Sequence, residues 1–239
     1  VPRWETALPF VSPKEDLPDN YCSALASLSS TERTLSKDPA WRQVYHKNIQ
    51  DYVSKGYARK VSKEEAKLRG GLPRWFLPHL AVLNPGSITT PVRTVFDSGR
   101  KSHGVCLNDI MVKGPRTQIN RSLDVAIRWR EYSEVMIGDI RAMFHHIGVI
   151  PEDQWFQSFL FREDPSMQAE WYVMQVLVMG HICSPCIATE STYSTGERVE
   201  ESMPEVCYVL KESSYVDDLI HSCMGDSRSL ARDVHQVLK

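Results

Sequence analysis

The feature that most constrains the fold is a pair of adjacent aspartates near the end of the 239-residue chain, in Tyr215-Val216-Asp217-Asp218-Leu219. Strand-like residues lie on both sides of the pair, at 214–221, so the pattern predicts a tight turn that carries both carboxylates to one end of a sheet. A third aspartate, Asp139, closes the apolar run of residues 134–140. That run predicts a strand buried in the middle of a sheet. If the two strands are neighbours, the three carboxylates converge.

Three carboxylates at close range repel one another, and without a counter-charge at least one of them would keep its proton. Hard cations with oxygen ligands relieve this repulsion, and Mg²⁺ is the natural choice. Two such ions, roughly 3.5–4 Å apart, can activate an attacking hydroxyl and neutralise a leaving oxygen in phosphate chemistry. The alternative is that Asp217 and Asp218 only form a polar turn.

The rest of the chain alternates between short strand-like and helical runs. Asp38-Pro39 has the pattern of an N-cap followed by proline at the first helical position, and Gly56 can end that helix. Further helices are predicted near 21–28, 124–130, from 151, from 184 and from Asp226 to Leu238. Strands are predicted at 75–83, 92–96, 134–140, 171–179, 208–210 and 214–221, with the first two antiparallel. This mixture predicts an α+β fold.

Charge is distributed unevenly along the chain. Residues 41–130 contain 17 Lys and Arg against 6 Asp and Glu, whereas the rest contains 11 against 24, for a net charge of −2. A basic region beside an acidic one suits a polyanion-binding enzyme with a carboxylate metal site, although two solvated surfaces of opposite sign would give the same pattern.

Targeting and redox signals are few. No apolar run approaches the ~20 residues of a membrane helix. The six cysteines do not indicate a disulfide scaffold, so a reducing compartment is expected. The sequence starts without methionine or an apolar leader, which predicts a fragment of a longer protein without a signal peptide.

Seven short motifs occur in a characteristic order. In these motifs, residues 20–239 resemble the reverse transcriptases, and within them the polymerase of BEL/Pao-type LTR retrotransposons. The motifs are Tyr52-Val53-Ser54-Lys55-Gly56-Tyr57-Ala58, Trp75-Phe76-Leu77-Pro78-His79, Arg93-Thr94-Val95-Phe96-Asp97, Leu107-Asn108-Asp109 with Gly114-Pro115, Gly138-Asp139-Ile140-Arg141-Ala142-Met143-Phe144, Met179-Gly180 with Ser184-Pro185, and the Tyr-Val-Asp-Asp box.

The resemblance implies a right-hand polymerase fold of fingers and palm, with an antiparallel palm sheet and helices and with the thumb absent or incomplete. It implies an N-terminal extension at 1–37 and a polymerase region at 38–239. The fingers would comprise mainly 38–114 and 147–183, and the palm mainly 115–146 and 184–239.

The resemblance also assigns roles to individual residues. Asp139, Asp217 and Asp218 match the catalytic metal-binding aspartates, and the Ile140 carbonyl matches a further metal ligand. Phe144 matches the bulky gate that rejects a 2′-hydroxyl, although it would also suit a core aromatic. Arg93 matches a residue that would touch the triphosphate. Met179 matches a nucleotide-contacting position where many retroviral relatives have Gln. Tyr215 and Val216 match residues near the primer terminus.

The activity implied is RNA-directed DNA polymerisation, a nucleotidyl transfer from a dNTP to a primer 3′-hydroxyl with two Mg²⁺, or Mn²⁺, as cofactors. The implied partners are an RNA or DNA template with its primer, the dNTP, and the rest of a Pol polyprotein: thumb, RNase H, integrase and protease. The implied location is the cytoplasm, within a virus-like particle, or the nucleus, with no membrane partner.

Two other functions stay open at this point. The first is a decayed retroelement remnant that keeps the fold and binds nucleic acid without polymerising. The second is an aspartic protease, because Asp97-Ser98-Gly99 resembles a protease signature. Arg100 and Lys101 follow that signature directly, and no strand-rich half surrounds it, which disfavours the protease.

Overall fold

A computed structural model of the protein describes residues 4–68, 75–84, 86–87, 91–115 and 119–239. The chain forms an α+β fold with small antiparallel sheets, as the sequence predicts. It divides into two compact units, Val1–Val112 with Gly148–Ser184 and Lys113–Ile147 with Pro185–Lys239. These unit boundaries lie within two residues of the internal boundaries that the resemblance implies.

The helices and strands of the described chain are numbered in chain order. The helices are α1 (Tyr21–Leu35), α2 (Pro39–Ser54), α3 (Lys63–Leu68), α4 (Ser122–Arg128), α5 (Pro151–Gln154), α6 (Ser184–Glu197), α7 (Pro204–Glu212) and α8 (Ser227–Val237). The strands are β1 (Trp4–Thr6), β2 (Ala58–Lys60), β3 (His79–Leu83), β4 (Val92–Phe96), β5 (Glu134–Asp139), β6 (Ile147–Val149), β7 (Ser158–Phe161), β8 (Glu170–Met174), β9 (Ser214–Tyr215) and β10 (Asp218–Cys223).

The first unit contains a three-stranded antiparallel sheet in the order β2-β8-β7 and the antiparallel pair β3-β4. Helices α1 and α2 pack on these strands, where Leu28, Tyr45 and Ile49 are buried with Phe76 and Phe159. The antiparallel pairing of residues 79–83 with 92–96 confirms one sequence prediction. These contacts give the first unit a core of its own.

Helix α2 begins and ends where its local sequence predicts. The Asp38 carboxylate accepts hydrogen bonds from the backbone amides of Ala40 and Trp41, which have no acceptor within the first turn of the helix. At the other end Gly56 takes a φ of 70°, a conformation open to glycine at little cost. The amide of Gly56 donates to the Val53 carbonyl, and the following residue closes a Schellman motif.

Residues 4–37, expected to be an extension, belong to the first unit. Helix α1 contributes buried residues to its core, including Leu28 and Leu35. Upstream of α1, the buried carboxylate of Asp153 accepts hydrogen bonds from the Leu8 amide and the Lys14 ammonium group. The N-terminal segment is therefore fixed to the unit by a charged pair and by helix packing. Residues 1–3 lie outside the described chain.

The second unit is built on a three-stranded antiparallel sheet in the order β5-β10-β9. Helices α7 and α8 cover one face of it, where the buried side chains of Met136, Leu210, Leu219, Leu230 and Val234 form a single cluster. Because side chains alternate along a strand, the neighbours of Met136 and Leu219 project from the opposite face. We call this second face the open face, because its β5 side is exposed at Val135 and Ile137, although α4 covers its β10 side at the buried Ser222, whose hydroxyl donates to the Arg128 carbonyl.

One sequence prediction about strands is wrong and two are wrong in part. The run at 134–140 is an edge strand rather than a central one, because β10 occupies the middle of the sheet and Ile137 is 69% exposed. Residues 208–210 belong to helix α7, which begins at Pro204 and buries residues at helical spacing. The run at 171–179 is a strand only to Met174. Beyond it the ladder stops, because the Gln157 side chain donates to the Met174 and Val176 carbonyls and the Gln175 amide donates to the loop carbonyl of Tyr57.

The predicted strand at 75–83 is also shorter than expected and begins at His79. Pro78 has no amide hydrogen to donate to a ladder, although its carbonyl accepts a hydrogen bond from Asp97. The basic region at 41–130 includes residues 69–74, 88–90 and 116–118, which lie outside the described chain.

Candidate active site

The β10–β5 pairing brings the three aspartates together along the backbone. Asp218 lies directly opposite Asp139 in the antiparallel register, and the Ile140 amide donates a 2.7 Å hydrogen bond to the Asp217 carbonyl. Residues opposite each other in such a pair point to the same face, with Cβ atoms about 4.5–5.5 Å apart. Asp139 and Asp218 are therefore neighbours on one face, and Asp217 adjoins them in the turn.

A strained turn presents this group. Tyr215 pairs with Asp218, so that Val216 and Asp217 form a two-residue hairpin turn. Val216 has a φ of 55°, which is unusual for a β-branched residue and costs on the order of 1–3 kcal/mol. Ala142, three residues after Asp139, also has a positive φ, of 54°. Backbone strain of this kind concentrates at functional sites, and here it lies on both segments that carry the aspartates.

The aspartates lie at one end of the open sheet face. Val135 and Ile137 precede Asp139 on this face of β5, and both are exposed. Their partners on β10 are Ser222 and Ile220. The open face therefore presents apolar side chains that lead to a carboxylate group, while α7 and α8 support it from behind.

The three carboxylates are exposed or half-exposed. Across residues 4–68, 75–84, 86–87, 91–115 and 119–239, none of the three takes part in an ion pair or a side-chain hydrogen bond. Carboxylates drawn together around one point repel without a counter-charge, and oxygen donors are what Mg²⁺ prefers. The residues therefore fit a divalent cation by the chemistry of their donors.

The side chains do not form a ready-made metal cage. Within the ranges that the structure describes, no group of three or more His, Cys, Asp or Glu side chains is arranged to hold a metal ion. The Ile140 carbonyl, predicted as a further ligand, already accepts a 3.1 Å hydrogen bond from the Met143 amide and has one lone pair left. The metal-binding roles of Ile140 and the three aspartates stay predictions.

The remaining predicted site residues are distributed over both units. In the second unit, Phe144 follows Asp139 by five residues, sits in a short 3₁₀ helix and is 7% exposed. Tyr215, also in the second unit, is exposed beside Asp218. In the first unit, Arg93 lies on β4 with an exposed side chain, and Met179 is 70% exposed. The nucleotide-contacting roles of these residues stay predictions.

Two features of the structure were missed by sequence reasoning. One is the strain at Val216, since a valine in a Tyr-Val-Asp-Asp box gives no signal of a positive φ. The other is a buried chain of hydrogen bonds through Ser98, His181 and Gln157. Ser98 was noted only as part of a protease-like signature, and the structure places it in the core with 1% exposure.

Comparison with known proteins adds no relative. No model of a known protein family matches the chain. No curated protein matches it at a significant level either. Among the described residues, no helix has the length and apolar character needed to cross a membrane.

Proposed function

We propose that this chain is the fingers-and-palm region of an RNA-directed DNA polymerase from a retroelement Pol polyprotein of the BEL/Pao type. The observation that carries the proposal is the adjacency of Asp139, Asp217 and Asp218, without ion-pair or hydrogen-bond partners in the described chain, at the end of an open sheet face. A sheet with helices behind it and carboxylates in front also suits a polymerase palm. The order of the seven sequence motifs supports the same assignment.

The three aspartates would hold two divalent cations, with the free lone pair of the Ile140 carbonyl as a further ligand. When bound, the cations lower the pKa of the primer 3′-hydroxyl and neutralise charge on the leaving oxygen. In the reaction the 3′-hydroxyl gives up its proton to solvent, and its oxygen forms a bond to the α-phosphorus of the dNTP. The bond between the α-phosphorus and the bridging oxygen breaks, and pyrophosphate leaves.

The other site residues would orient the reactants. Arg93 offers a guanidinium group, which binds phosphate oxygens in a fixed fork geometry. Phe144 would lie under the deoxyribose and leave no room for a 2′-hydroxyl. Tyr215 projects from the same hairpin as the aspartates, next to Asp218, which suits a contact with the primer terminus.

Template and primer would bind mainly through phosphate contacts with the basic region at 41–130. Each neutralised phosphate releases counterions, so affinity should fall steeply as salt rises. This contribution is independent of sequence, as a polymerase requires.

The test is primer extension on a homopolymer RNA template with Mg²⁺ or Mn²⁺, comparing the wild-type protein with Asp217→Asn. The variant should lose extension by at least about 100-fold, because a cation ligand has become a neutral amide, yet bind template–primer with little change. Asp226→Asn is the matched control, because it makes the same chemical change at an exposed helix cap in the same unit, where asparagine caps as well as aspartate.

Equal activity in wild type and Asp217→Asn would refute the assignment of the metal ligands. A wild-type protein that binds template–primer with strong salt dependence but never extends it would instead identify the non-polymerising remnant. The two failures are distinguishable because binding is measured separately from extension.

A further inference from the structure

Helix α7 ends directly before the hairpin that carries two of the candidate metal ligands, and its last carbonyls all have partners. The last four carbonyls of a helix lack a donor within the helix, so donors must come from elsewhere. The Val209 carbonyl accepts from the Ser213 amide at 3.1 Å. The Leu210 carbonyl accepts from the Ser214 hydroxyl at 2.9 Å. The remaining two carbonyls are bonded by side chains from a distant part of the second unit.

Asn120, two residues before α4, holds the junction between α7 and β9. Its side-chain nitrogen donates to the Lys211 carbonyl at 2.7 Å and to the Ser214 carbonyl at 2.9 Å. Both partners can only accept, so the amide nitrogen, which carries two hydrogens, is the atom that faces them. One side chain therefore ties the last turn of α7 to the first residue of β9.

Arg128, the last residue of α4, holds the same junction. Its guanidinium group donates to the Glu212 carbonyl, and its Nη1 atom lies 3.8 Å from the Glu212 carboxylate. The Arg128 carbonyl in turn accepts a 2.8 Å hydrogen bond from the Ser222 hydroxyl on β10. Helix α4 is therefore bonded to the segment that enters the hairpin and to the strand that leaves it. We call Asn120 and Arg128 the α4 clamp.

The junction that the α4 clamp holds lies next to the strained turn. Val216, with its φ of 55°, follows Ser214 by two positions. A strained backbone persists only where the surrounding structure over-determines it. The hydrogen bond from the Ile140 amide to the Asp217 carbonyl fixes the turn on one side, and the α4 clamp fixes the strand that leads into it. Release of the clamp should therefore let the turn relax and its carboxylates shift against β5.

We propose that Asn120, together with Arg128, is a positioning residue that sets the place of the aspartate-bearing hairpin and thereby the affinity of the site for divalent cations. The proposal rests on the polymerase function proposed above. Asn120 bonds backbone carbonyls and not the carboxylates, so it acts on the cations through the hairpin. Without its two hydrogen bonds, the junction of α7 and β9 is free to shift.

The chain contains a matched control in the first unit. The Asn48 side-chain nitrogen donates to the Val92 carbonyl at 3.1 Å, in a setting that is part-buried like that of Asn120. This hydrogen bond joins α2 to β4 and lies outside the unit that carries the aspartates. Asn48→Ala and Asn120→Ala therefore remove the same type of hydrogen bond, and only the second change touches the hairpin.

The experiment compares wild type, Asn120→Ala and Asn48→Ala well below the lowest of their melting temperatures. Amide hydrogen exchange at Ile140, which donates to the Asp217 carbonyl, should accelerate about fivefold or more in Asn120→Ala and stay within about twofold in Asn48→Ala. In primer extension, Asn120→Ala should raise the Mg²⁺ concentration for half-maximal rate about fivefold and lower kcat about tenfold, because a group misplaced by ~1 Å can cost up to ~100-fold. Its template–primer affinity should not change.

A second variant and a second measurement keep the result decisive. Arg128→Lys keeps the positive charge but gives up the guanidinium fork, so it should accelerate exchange at Ile140 in the same direction. If exchange is unchanged in both clamp variants, or accelerates without a change in the Mg²⁺ requirement, the clamp only stabilises the fold and the proposal is overturned. If the wild-type protein extends no primer, the polymerase function fails, and the Mn²⁺ dissociation constant from calorimetry decides on the clamp. A higher constant in Asn120→Ala than in Asn48→Ala then supports the clamp, whereas equal constants or no Mn²⁺ binding by the wild type overturn it.

Discussion

Acid should destabilise the first unit through its two buried histidines. Burial lowers the pKa of His79 to about 4 and that of His181 to about 3 in the folded protein. In the unfolded chain both return to about 6.5. Between these values the unfolded state binds more protons than the folded state, so the free energy of unfolding decreases as pH falls below about 6.5. The stability that comes from two neutral buried rings is therefore complete above pH ~6.5, and it is lost as the pH falls toward the folded-state pKa values.

The size of the effect follows from the size of the pKa shifts. One pKa unit corresponds to about 1.4 kcal/mol, and at pH 6.5 each ring is already half protonated in the unfolded chain, so each histidine should cost roughly 2 kcal/mol of stability between pH 6.5 and 4.5. The two together would remove roughly 4 kcal/mol, which is a large part of the stability of a marginal domain. The hydrogen bond to the Leu160 carbonyl and, to a smaller extent, the Glu32 carboxylate partly offset the effect of burial on the pKa of His79.

The assay is urea unfolding between pH 4.5 and 7.5, followed by tryptophan fluorescence, because five of the six tryptophans lie in the first unit. His79→Phe should be less stable than wild type at pH 7.5 because it loses two hydrogen bonds. Its stability should also fall less steeply with acid, by about 1.4 kcal/mol per pH unit near pH 5. Exposed His235→Gln is the control and should keep the wild-type slope. Equal slopes for wild type and His79→Phe would refute the reasoning.

Two further predictions concern single side chains. Gly180→Ala should destabilise the first unit by about 1–3 kcal/mol or more, because its Cβ would lie 2.1 Å from a backbone oxygen. Thermal melting checks this against Gly99→Ala, whose nearest contact would be an ordinary 3.5 Å, and equal melting temperatures would contradict the packing argument. Phe144→Ala should admit ribonucleotides, measured as the ratio of kcat/KM for dNTP and rNTP on protein first shown to be folded. An unchanged ratio would remove the gate role from Phe144.

Elements with local chemical signals were predictable from the sequence. Asp38 and Gly56 mark the ends of α2 because an N-cap carboxylate and a glycine with positive φ act on their own neighbours. Asp226 likewise begins α8 by accepting a hydrogen bond from the Arg228 amide. Signals of this kind need no knowledge of the rest of the fold.

Elements that depend on tertiary partners were predicted less well. Residues 134–140 are apolar enough for a central strand, yet β5 is an edge, and the sequence does not show which side its neighbour takes. Residues 208–210 look strand-like alone, but burial at helical spacing from Val206 to Leu210 makes them helical. In each case packing outweighs local preference.

The candidate site shows the same division. The neighbouring positions of Asp139 and Asp218 could be inferred because Asp139 ends one strand-like run and Asp218 begins another, directly after a turn. The Ser98–His181 contact could not be inferred, since the two residues are 83 positions apart and neither carries a distinctive local pattern. The strain at Val216 also depends on how tightly its hairpin must close.

The hairpin between β9 and β10 imposes a condition on length as well as on composition. A deletion or insertion that slid β10 by one position against β5 would turn Asp218 toward α7 and send Leu219 out to solvent. A slip of two positions would return Asp218 to its original face of the sheet, but it would move the carboxylate about 7 Å along the strand, away from Asp139. Conservative substitutions at Tyr215 and Val216 should therefore be tolerated far better than any change in the number of residues between the two strands.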